Sequence, residues 1–222
     1  MANLPISQLP TALSGSPDSL MVIVNYDLVS SVVTYSIPFS ALTAQFNPTP
    51  TFQPIYGLFS QTGDSATVSG TTEQTIVGDG VGTLTIPANG FSVGDTFKAT
   101  IKGHFSSAND TSRVRVKAGD IILSDSGNFT LNTGGDEVLI TLELYFVIQG
   151  IGSATNASIL TKGEITTIKS SNFTVQGYAF ETTNNSTFDT TTENTLDITW
   201  EFGNTDNTTY ILSEVFTLVK VY

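Results

Sequence analysis

The sequence predicts an all-β protein, and three observations carry that prediction. Two long segments, 96–105 and 138–149, place apolar residues at every second position, which is the period of a β-strand. No run with the helical period exceeds two turns. Charged residues make up only 13% of the 222-residue chain, while hydrophobic residues reach 39%. A surface of Thr, Ser, Asn and Gly rather than Lys and Glu is typical of β proteins.

The first 46 residues read as a small unit of their own. Their pattern predicts strands at 20–25 and 32–37, with Pro38 breaking the second strand. Ser40 is placed as the N-cap of a short helix, 40–46. A two-stranded hairpin with one helical turn is only marginally stable alone in water. We therefore expect this unit to dock on a partner; the alternative is an extra hairpin packed on the main domain.

A proline-containing linker follows at 47–54. Its three prolines, Pro48, Pro50 and Pro54, favour an extended and rather stiff spacer. The linker predicts a division of the chain into an N-terminal module, 1–46, and a main domain, 55–222.

The first long strand of the main domain is predicted at 96–105. Alternation assigns one set of residues to the core and the other to solvent, as in a half-buried antiparallel strand. The core set is Phe97, Ala99, Ile101, Gly103 and Phe105. The outward set is Thr96, Lys98, Thr100, Lys102 and His104.

The second long strand, 138–149, is apolar on both faces. One face carries Val138, Ile140, Leu142, Leu144, Phe146 and Ile148. The opposite face carries Leu139, Thr141, Glu143, Tyr145 and Val147. A mixed second face indicates burial on both sides, either between the core and another subunit or beneath loops of the same chain.

Shorter strands complete the main domain. The pattern predicts them at 84–86, 112–117, 121–124, 128–131, 157–167, 172–180, 195–202 and 210–221, separated by Gly, Asn, Asp and Ser turns. Many strands of this length with irregular connections predict an antiparallel sandwich or barrel.

The segment 80–222 has a distinctive set of turn and strand residues, which are Leu84, Ile86, Pro87, Ala88, Asn89, Val93, Gly94, Asp95, Phe97 and Gly103, and a closing strand at its end. With these residues it resembles the tumour-necrosis-factor-like jelly rolls of bacteriophage head fibres and tail proteins. The resemblance implies a C-terminal jelly-roll sandwich. The two-sided strand 138–149, in a chain without disulfides, leads us to expect a homotrimer.

The N-terminal unit has a polar arm followed by a hairpin and a short helix, with the residues Ile6, Ser7, Gln8, Leu9, Pro10, Asp18, Val22, Ile23, Val24, Thr34, Tyr35, Ile37, Ser40 and Leu42. In these residues it resembles the attachment module of phage fibres and other virion appendage proteins. The resemblance implies that residues 1–46 bind the capsid or another virion protein.

The charge balance argues against nucleic acid and membranes as partners. Eight basic residues stand against 20 acidic ones, which gives a net charge of −12. A negative field repels both nucleic acid and anionic lipid, and no segment has the roughly 20 apolar residues of a membrane span. Arg113, Arg115 and Lys117 alternate along one strand, and we interpret them as a solvated strand face rather than a binding patch.

The residues that catalysis requires are scarce. The chain has no cysteine and one histidine, His104, which we expect on the polar strand face, exposed and without a partner. The sequence gives no catalytic, cofactor-binding or metal-binding residues, and we expect no cofactor. Carboxylates in predicted loops are attributed to turn chemistry: Asp64, Asp79, Asp110, Asp120, Asp125, Asp136, Glu137, Asp189 and Asp206.

Two further features concern packing and contact. The sole tryptophan, Trp200, shares a strand face with Leu196, Ile198 and Phe202, which indicates packing in the core or at a trimer axis. The stretch 182–194 is long, polar and carries one aromatic residue, Phe188. It is the best candidate in the sequence for a variable surface contact, the alternative being a solvated loop.

The sequence therefore predicts a non-enzymatic structural protein of a virion, a head fibre or capsid decoration anchored by its N-terminus and projecting a trimeric jelly roll. The alternative is a receptor-binding tail-tip protein that recognises a host surface glycan.

Overall fold

The computed structural model describes residues 20–25, 33–38, 57–204 and 208–222. The chain divides into two compact units, Met1–Pro54 and Ile55–Tyr222. In the first unit, strand β1 (Leu20–Asn25) pairs antiparallel with β2 (Val33–Pro38). This pairing confirms the predicted strands, except that Pro38 is the last residue of β2 and not a residue beyond it. The predicted helix 40–46 and linker 47–54 lie outside the described residues.

The second unit consists of strands β3 to β15, and no helix occurs among its described residues. The strands are β3 (Gly57–Gln61), β4 (Gln74–Thr75), β5 (Gly80–Gly82), β6 (Thr85–Ile86), β7 (Thr96–Ser106), β8 (Ala108–Ala118), β9 (Ile121–Asp125), β10 (Phe129–Asn132), β11 (Val138–Gly150), β12 (Ser158–Lys169), β13 (Thr174–Asn184), β14 (Asn194–Phe202) and β15 (Tyr210–Lys220). The all-β prediction is confirmed. Strands β3, β4 and β5 were not predicted, because two to five residues containing Gly or Thr carry no clear period.

The strands form two antiparallel sheets. A seven-stranded sheet has the order β13-β12-β11-β7-β15-β3-β5. A six-stranded sheet has the order β10-β8-β14-β4, with β9 also paired to β8 and β6 also paired to β14. Phe105 of the first sheet contacts Trp200 and Phe202 of the second, with ring centroids 5.7 and 6.2 Å apart. The inner faces of the two sheets therefore pack against each other.

Both long strands have the predicted orientation. In β7, the residues Phe97, Ala99, Ile101 and Phe105 are buried, and in β11 the apolar set from Val138 to Ile148 is buried. Gly103 is required in β7, because a Cβ atom there would lie 1.9 Å from the carbonyl oxygen of Leu212. Each fully buried Leu, Ile or Phe contributes roughly 1.5–3 kcal/mol, so these two strands are the main source of hydrophobic stabilisation in their sheet.

Trp200 is a core residue, as predicted. Its side chain is fully buried and packs on Phe105, Phe129 and Phe202, with ring centroids 5.7, 5.7 and 6.1 Å away. Four aromatic rings in contact form the centre of the space between the two sheets.

Side chains of β13 connect the edges of the two sheets. Gln176 donates to the carbonyl of Asn132 and accepts from its amide, at 2.6 and 3.1 Å. The Tyr178 hydroxyl donates to the carbonyl of Ser126 at 2.8 Å, and the Asn184 amide donates to the carbonyl of Ile122 at 2.8 Å. Backbone acceptors at the edge of the six-stranded sheet are thereby satisfied without another strand.

The predicted polar surface loop is confirmed for 185–193, where most residues are exposed, but its bounds of 182–194 and the exposure of Phe188 are wrong. Its first residues belong to β13, and Phe188 is buried in the core, 5.7 Å from the ring of Phe91. The Asn184 side-chain oxygen accepts from the backbone amides of Ser186, Thr187 and Phe188 at 3.0–3.2 Å. This turn chemistry directs Phe188 inward, which a count of polar residues does not reveal.

Candidate interaction surfaces

His104 has two partners, contrary to the expectation of an unpartnered side chain. It lies on the outer face of the seven-stranded sheet and is 30% exposed. Its Nδ1 is 3.0 Å from a carboxylate oxygen of Glu137, and its Nε2 is 3.2 Å from one of Glu214. Glu137 immediately precedes β11 and Glu214 lies in β15, so the imidazole links the two strands that flank β7. The prediction of the strand face is confirmed, and the prediction of isolation is wrong.

The interpretation of Arg113, Arg115 and Lys117 as a solvated face is also wrong. The three cations share the outer face of the six-stranded sheet, but carboxylates cover them. Arg113 Nε donates to Asp125 at 2.8 Å, Arg115 Nη1 to Glu73 at 2.6 Å, and Lys117 Nζ to Glu73 at 2.8 Å. Arg115 also donates to Glu201 at 2.7 Å, and its side chain is only 12% exposed. We call these six residues the charge network.

The charge network shifts the pKa values of its carboxylates. Burial alone would raise the pKa of Glu73, but hydrogen bonds from Lys117 and Thr199 and the charge of Arg115 outweigh it and lower the pKa. The hydrogen bond from Arg113 lowers the pKa of Asp125. Both carboxylates are therefore held in their ionised form, as expected when cations share a half-buried site.

Two of the carboxylates that were predicted in loops lie in strands instead. Asp125 is the last residue of β9 and Asp110 lies within β8, so both belong to strands rather than loops. Asp110 accepts hydrogen bonds from Thr209 and Asn204 across the fold. Asp206 lies outside the described residues. In the described part of the chain, no group of three or more His, Cys, Asp or Glu residues is arranged to hold a metal ion.

The outer face of the seven-stranded sheet carries apolar side chains on both sides of His104. Leu139 is opposite His104, which is opposite Leu212. On the other side, Ile168 is opposite Val175. Ile140 is opposite Thr167, which places Leu139 beside Ile168. Leu139 is 65% and Val175 66% exposed. We call Leu139, Ile168, Val175 and Leu212 the apolar band.

An exposed aromatic residue lies beside this band. Phe173 is in the turn between β12 and β13, two residues before Val175, and is 79% exposed. Its φ of +55° is in the left-handed region, which a bulky side chain rarely adopts. An exposed phenylalanine held in a costly backbone conformation is a feature expected of a contact surface rather than of a solvated turn.

The exposed side chains of β11 show whether loops of the same chain cover its second face, which was one of the two alternatives. Loops of the same chain were one candidate cover, but the described residues leave Leu139 and Tyr145 exposed. No loop among them therefore buries this face. Burial by another subunit stays a prediction.

A groove lies further along the same outer face, across β11, β12 and β13. Its volume is about 430 Å³. Six side chains form its walls, and we call it the outer groove: Glu143, Tyr145, Lys162, Glu164, Ala179 and Glu181.

A second, smaller cavity lies between the sheets. It measures about 50 Å³ and is lined by apolar side chains such as Leu84, Ile86 and Phe91, with Asn194 as its one polar residue. The Asn194 amide already donates to the carbonyls of Asp189 and Thr192. An apolar cavity of this kind stays dry and offers no reactive group.

Neither a known family nor an individual curated protein matches the sequence. Among the described residues, no helix is long and apolar enough to cross a membrane.

Proposed function

We propose that this protein is a non-enzymatic virion component, a head fibre or capsid decoration of a tailed bacteriophage. Residues 1–46 attach it to the capsid or to another virion protein. The unit from Ile55 to Tyr222 is a tumour-necrosis-factor-like jelly roll that projects outward as a homotrimer. The apolar band is the observation that carries this proposal, because it leaves one sheet face in need of a partner.

The nesting of strand pairs supports the jelly roll. In such a fold the first strand pairs with the last, the second with the next to last, and so on inward, as in a long hairpin rolled over itself. Here β3 pairs with β15, β4 and β6 with β14, β7 with β11, and β8 with β9 and β10. Strands β12 and β13 are then an additional hairpin that extends the sheet beyond β11.

The exposed apolar residues support the trimer. Soluble monomers rarely leave contiguous apolar side chains in water, and Leu139, Val175 and Phe173 are all more than half exposed. Burying about 300 Å² of apolar surface per subunit would contribute about 7 kcal/mol before the entropic cost of association. A chain without cysteine has no disulfides to provide such stabilisation.

The N-terminal unit supports attachment. It belongs to a separate compact unit, and its described part is a single two-stranded sheet. Two strands alone are marginally stable in water, so a partner surface would stabilise them. The residues shared with virion attachment modules provide the reason to place that partner on a virion.

Two measurements test this proposal. Light scattering of the full chain at about micromolar concentration should give three times the 23.6 kDa chain mass. A virion reconstruction should place density for the protein on the particle and count its copies on the head or the tail. A monomeric mass contradicts the trimer, and particles that lack the protein contradict the virion assignment.

Deleting residues 1–46 separates the roles of the two units. The remaining chain should keep its trimeric mass and its far-ultraviolet β spectrum, but it should not enter particles. Normal occupancy of the truncated protein would place the anchor in the main domain.

The alternative function, a receptor-binding tail tip, is favoured by a different observation. The outer groove combines an exposed aromatic ring with several carboxylates, which suits a glycan. The two functions share one fold and differ in what the groove does.

A further inference from the structure

We propose that the outer groove binds a neutral saccharide. Its volume of about 430 Å³ is within the range of small-molecule sites, roughly 300–1,000 Å³. This inference rests on the alternative function above and adds the class of ligand, and it can fail while the structural role stands.

A small residue opens the groove. Its floor lies at Ala179, which is opposite Glu164 in the β12–β13 ladder and adds only a methyl group. Gly163 and Phe180 also line the groove, although the alternation of the strands directs their side-chain positions to the inner face of the sheet. The depression is therefore bounded by the longer side chains of Tyr145 and Lys162 and by Glu143 and Glu164.

The hydrogen-bond acceptor that this groove offers to a ligand is the carboxylate of Glu164. It lies directly opposite Glu143 in the β11–β12 ladder, and like charges in that position destabilise a sheet. Lys98 donates to Glu143 at 2.9 Å. No described residue donates a hydrogen bond to Glu164 or forms an ion pair with it, so its carboxylate has free lone pairs. A pair of neighbouring sugar hydroxyls can donate to both oxygens of such a carboxylate.

The apolar surface in this groove is the ring of Tyr145. It is 41% exposed, and Lys98 Nζ lies 5.1 Å from the ring centroid, which restrains the ring on that side. A ring held in this way presents a preformed apolar surface to the C–H groups of a sugar. Such preorganisation reduces the entropic cost of binding.

The charges select a neutral ligand. Glu181 is paired with Lys162 at 2.8 Å and Glu143 with Lys98, which leaves Glu164 as the net negative charge. An acidic sugar would be repelled by this carboxylate. A calcium ion would need six or more oxygen ligands, and no suitable group of carboxylates occurs in the described part of the chain.

The groove and the apolar band can function together. Leu139 and Tyr145 are six residues apart on β11, which corresponds to about 20 Å along a strand. A subunit seated on the band would therefore bury the Leu139 end of this face of β11 and leave Tyr145 and the groove open to a small ligand. The mass of the protein and its ligand binding are separate readouts.

The test is a titration of the full chain with single sugars, followed by nuclear magnetic resonance and calorimetry. The probes are the methyl glycosides of glucose, galactose and mannose, N-acetylglucosamine, N-acetylneuraminic acid as the acidic probe, and calcium chloride. We expect at least one neutral sugar to bind with a dissociation constant on the order of 1 mM, and neither the acidic sugar nor calcium to bind.

Two variants locate the site. Glu164→Gln and Tyr145→Ala should each weaken neutral-sugar binding at least tenfold. Glu193→Gln, an exposed glutamate elsewhere, and Tyr222→Ala, an exposed tyrosine elsewhere, are the matched controls and should bind as the parent does. Glu164→Gln also removes the repulsion with Glu143, so its melting temperature should not fall. A loss of sugar binding with an unchanged melting temperature would then show that Glu164 contacts the ligand.

Three results would overturn the inference. The first is no binding of any neutral sugar at 20-fold the expected dissociation constant. The second is neutral-sugar binding that Glu164→Gln and Tyr145→Ala leave unchanged. The third is binding of the acidic sugar or calcium in preference to the neutral probes.

Discussion

The outer face of the six-stranded sheet is covered by a half-buried charge network, whereas the outer face of the seven-stranded sheet combines more exposed ion pairs with exposed apolar side chains and one carboxylate without a described partner. On the first face, Glu73 lies next to β4 and bridges Arg115 and Lys117 of β8. On the second, Leu139 and Val175 are exposed and Glu164 has no described partner. Both faces have the same alternating pattern, but only one has a segment of its own chain whose charges complement it.

This difference indicates where binding energy is available. Charges that are already paired and half-buried offer little to a partner, because binding would exchange one set of interactions for another. Exposed apolar side chains and free acceptors gain on burial or ligation. The seven-stranded face is therefore the face on which we place both the subunit contact and the groove.

The strongest test of this comparison is Leu139→Asp. An aspartate at this position would have to be buried in the trimer contact, beside an imidazole that two glutamates already share. We expect the trimer association constant to fall at least about 100-fold, so that light scattering gives a monomer.

Ile122→Asp is the matched control for that variant. Ile122 is also exposed but lies on β9, which pairs with β8 of the other sheet, and its replacement should leave the mass unchanged. If the Leu139→Asp variant stays trimeric, the subunit contact does not lie on this face.

The charge network is tested by Arg115→Ala. Its removal leaves Glu73 and Glu201 facing each other without their shared cation, and we expect a loss of about 2–3 kcal/mol in the free energy of unfolding. Lys162→Ala is the control, because its pair with Glu181 is well exposed and contributes less than about 1 kcal/mol. Urea denaturation of the two variants gives the comparison. Equal losses would show that the network is no stronger than an exposed pair.

Acid should weaken the charge network on the outer face of the six-stranded sheet and so lower the stability of the protein. The folded-state pKa values of Glu73 and Asp125 are lowered from 4.5 and 3.8. Their contribution is therefore present above those ordinary values and is lost as the pH falls through the lower folded-state values. The melting temperature should fall between about pH 5 and pH 2. The fall should be smaller in Arg113→Ala, which removes the hydrogen bond that does most to lower the pKa of Asp125, and a fall of equal size in that variant would assign the acid sensitivity to groups other than Asp125.

The smallest expected effect is that of His104→Ala. His104 is paired with two half-exposed carboxylates, and such pairs contribute about 0–1 kcal/mol each. We expect the free energy of unfolding to change by less than about 1 kcal/mol and particle assembly to stay intact. Chemical denaturation measures the first and particle occupancy the second. A loss of several kcal/mol would mean that the two carboxylates stabilise the fold through this imidazole.

Strand periodicity predicted the two central strands of the large sheet. In β7 and β11 the alternation extends over ten residues or more, so a shift of one residue would expose the whole apolar set. The buried residues Phe105 and Leu142 and the core position of Trp200 were predictable for this reason. Strands β4 and β5 contain only two and three residues, and their pairing depends on the neighbouring long strands.

The partners of polar residues were not predictable. His104 lies between Glu137 and Glu214, and Arg115 between Glu73 and Glu201, and in each case the carboxylates come from distant parts of the sequence. Phe188 was assigned to the surface because its neighbours are polar, although the Asn184 turn directs it into the core. Local pattern contains no information about which distant segment a side chain meets.

The sequence by itself determined that the described part of the chain is all-β, which residues of its long strands face the core, and that two strands precede the main domain. These properties follow from local alternation and turn chemistry, which act between neighbours in the chain. Only the tertiary structure decided which outer face is closed by ion pairs and which exposes the apolar band and the outer groove. That outcome depends on where distant segments cross the sheets, because charge pairing and burial act through space between residues that the sequence does not place together.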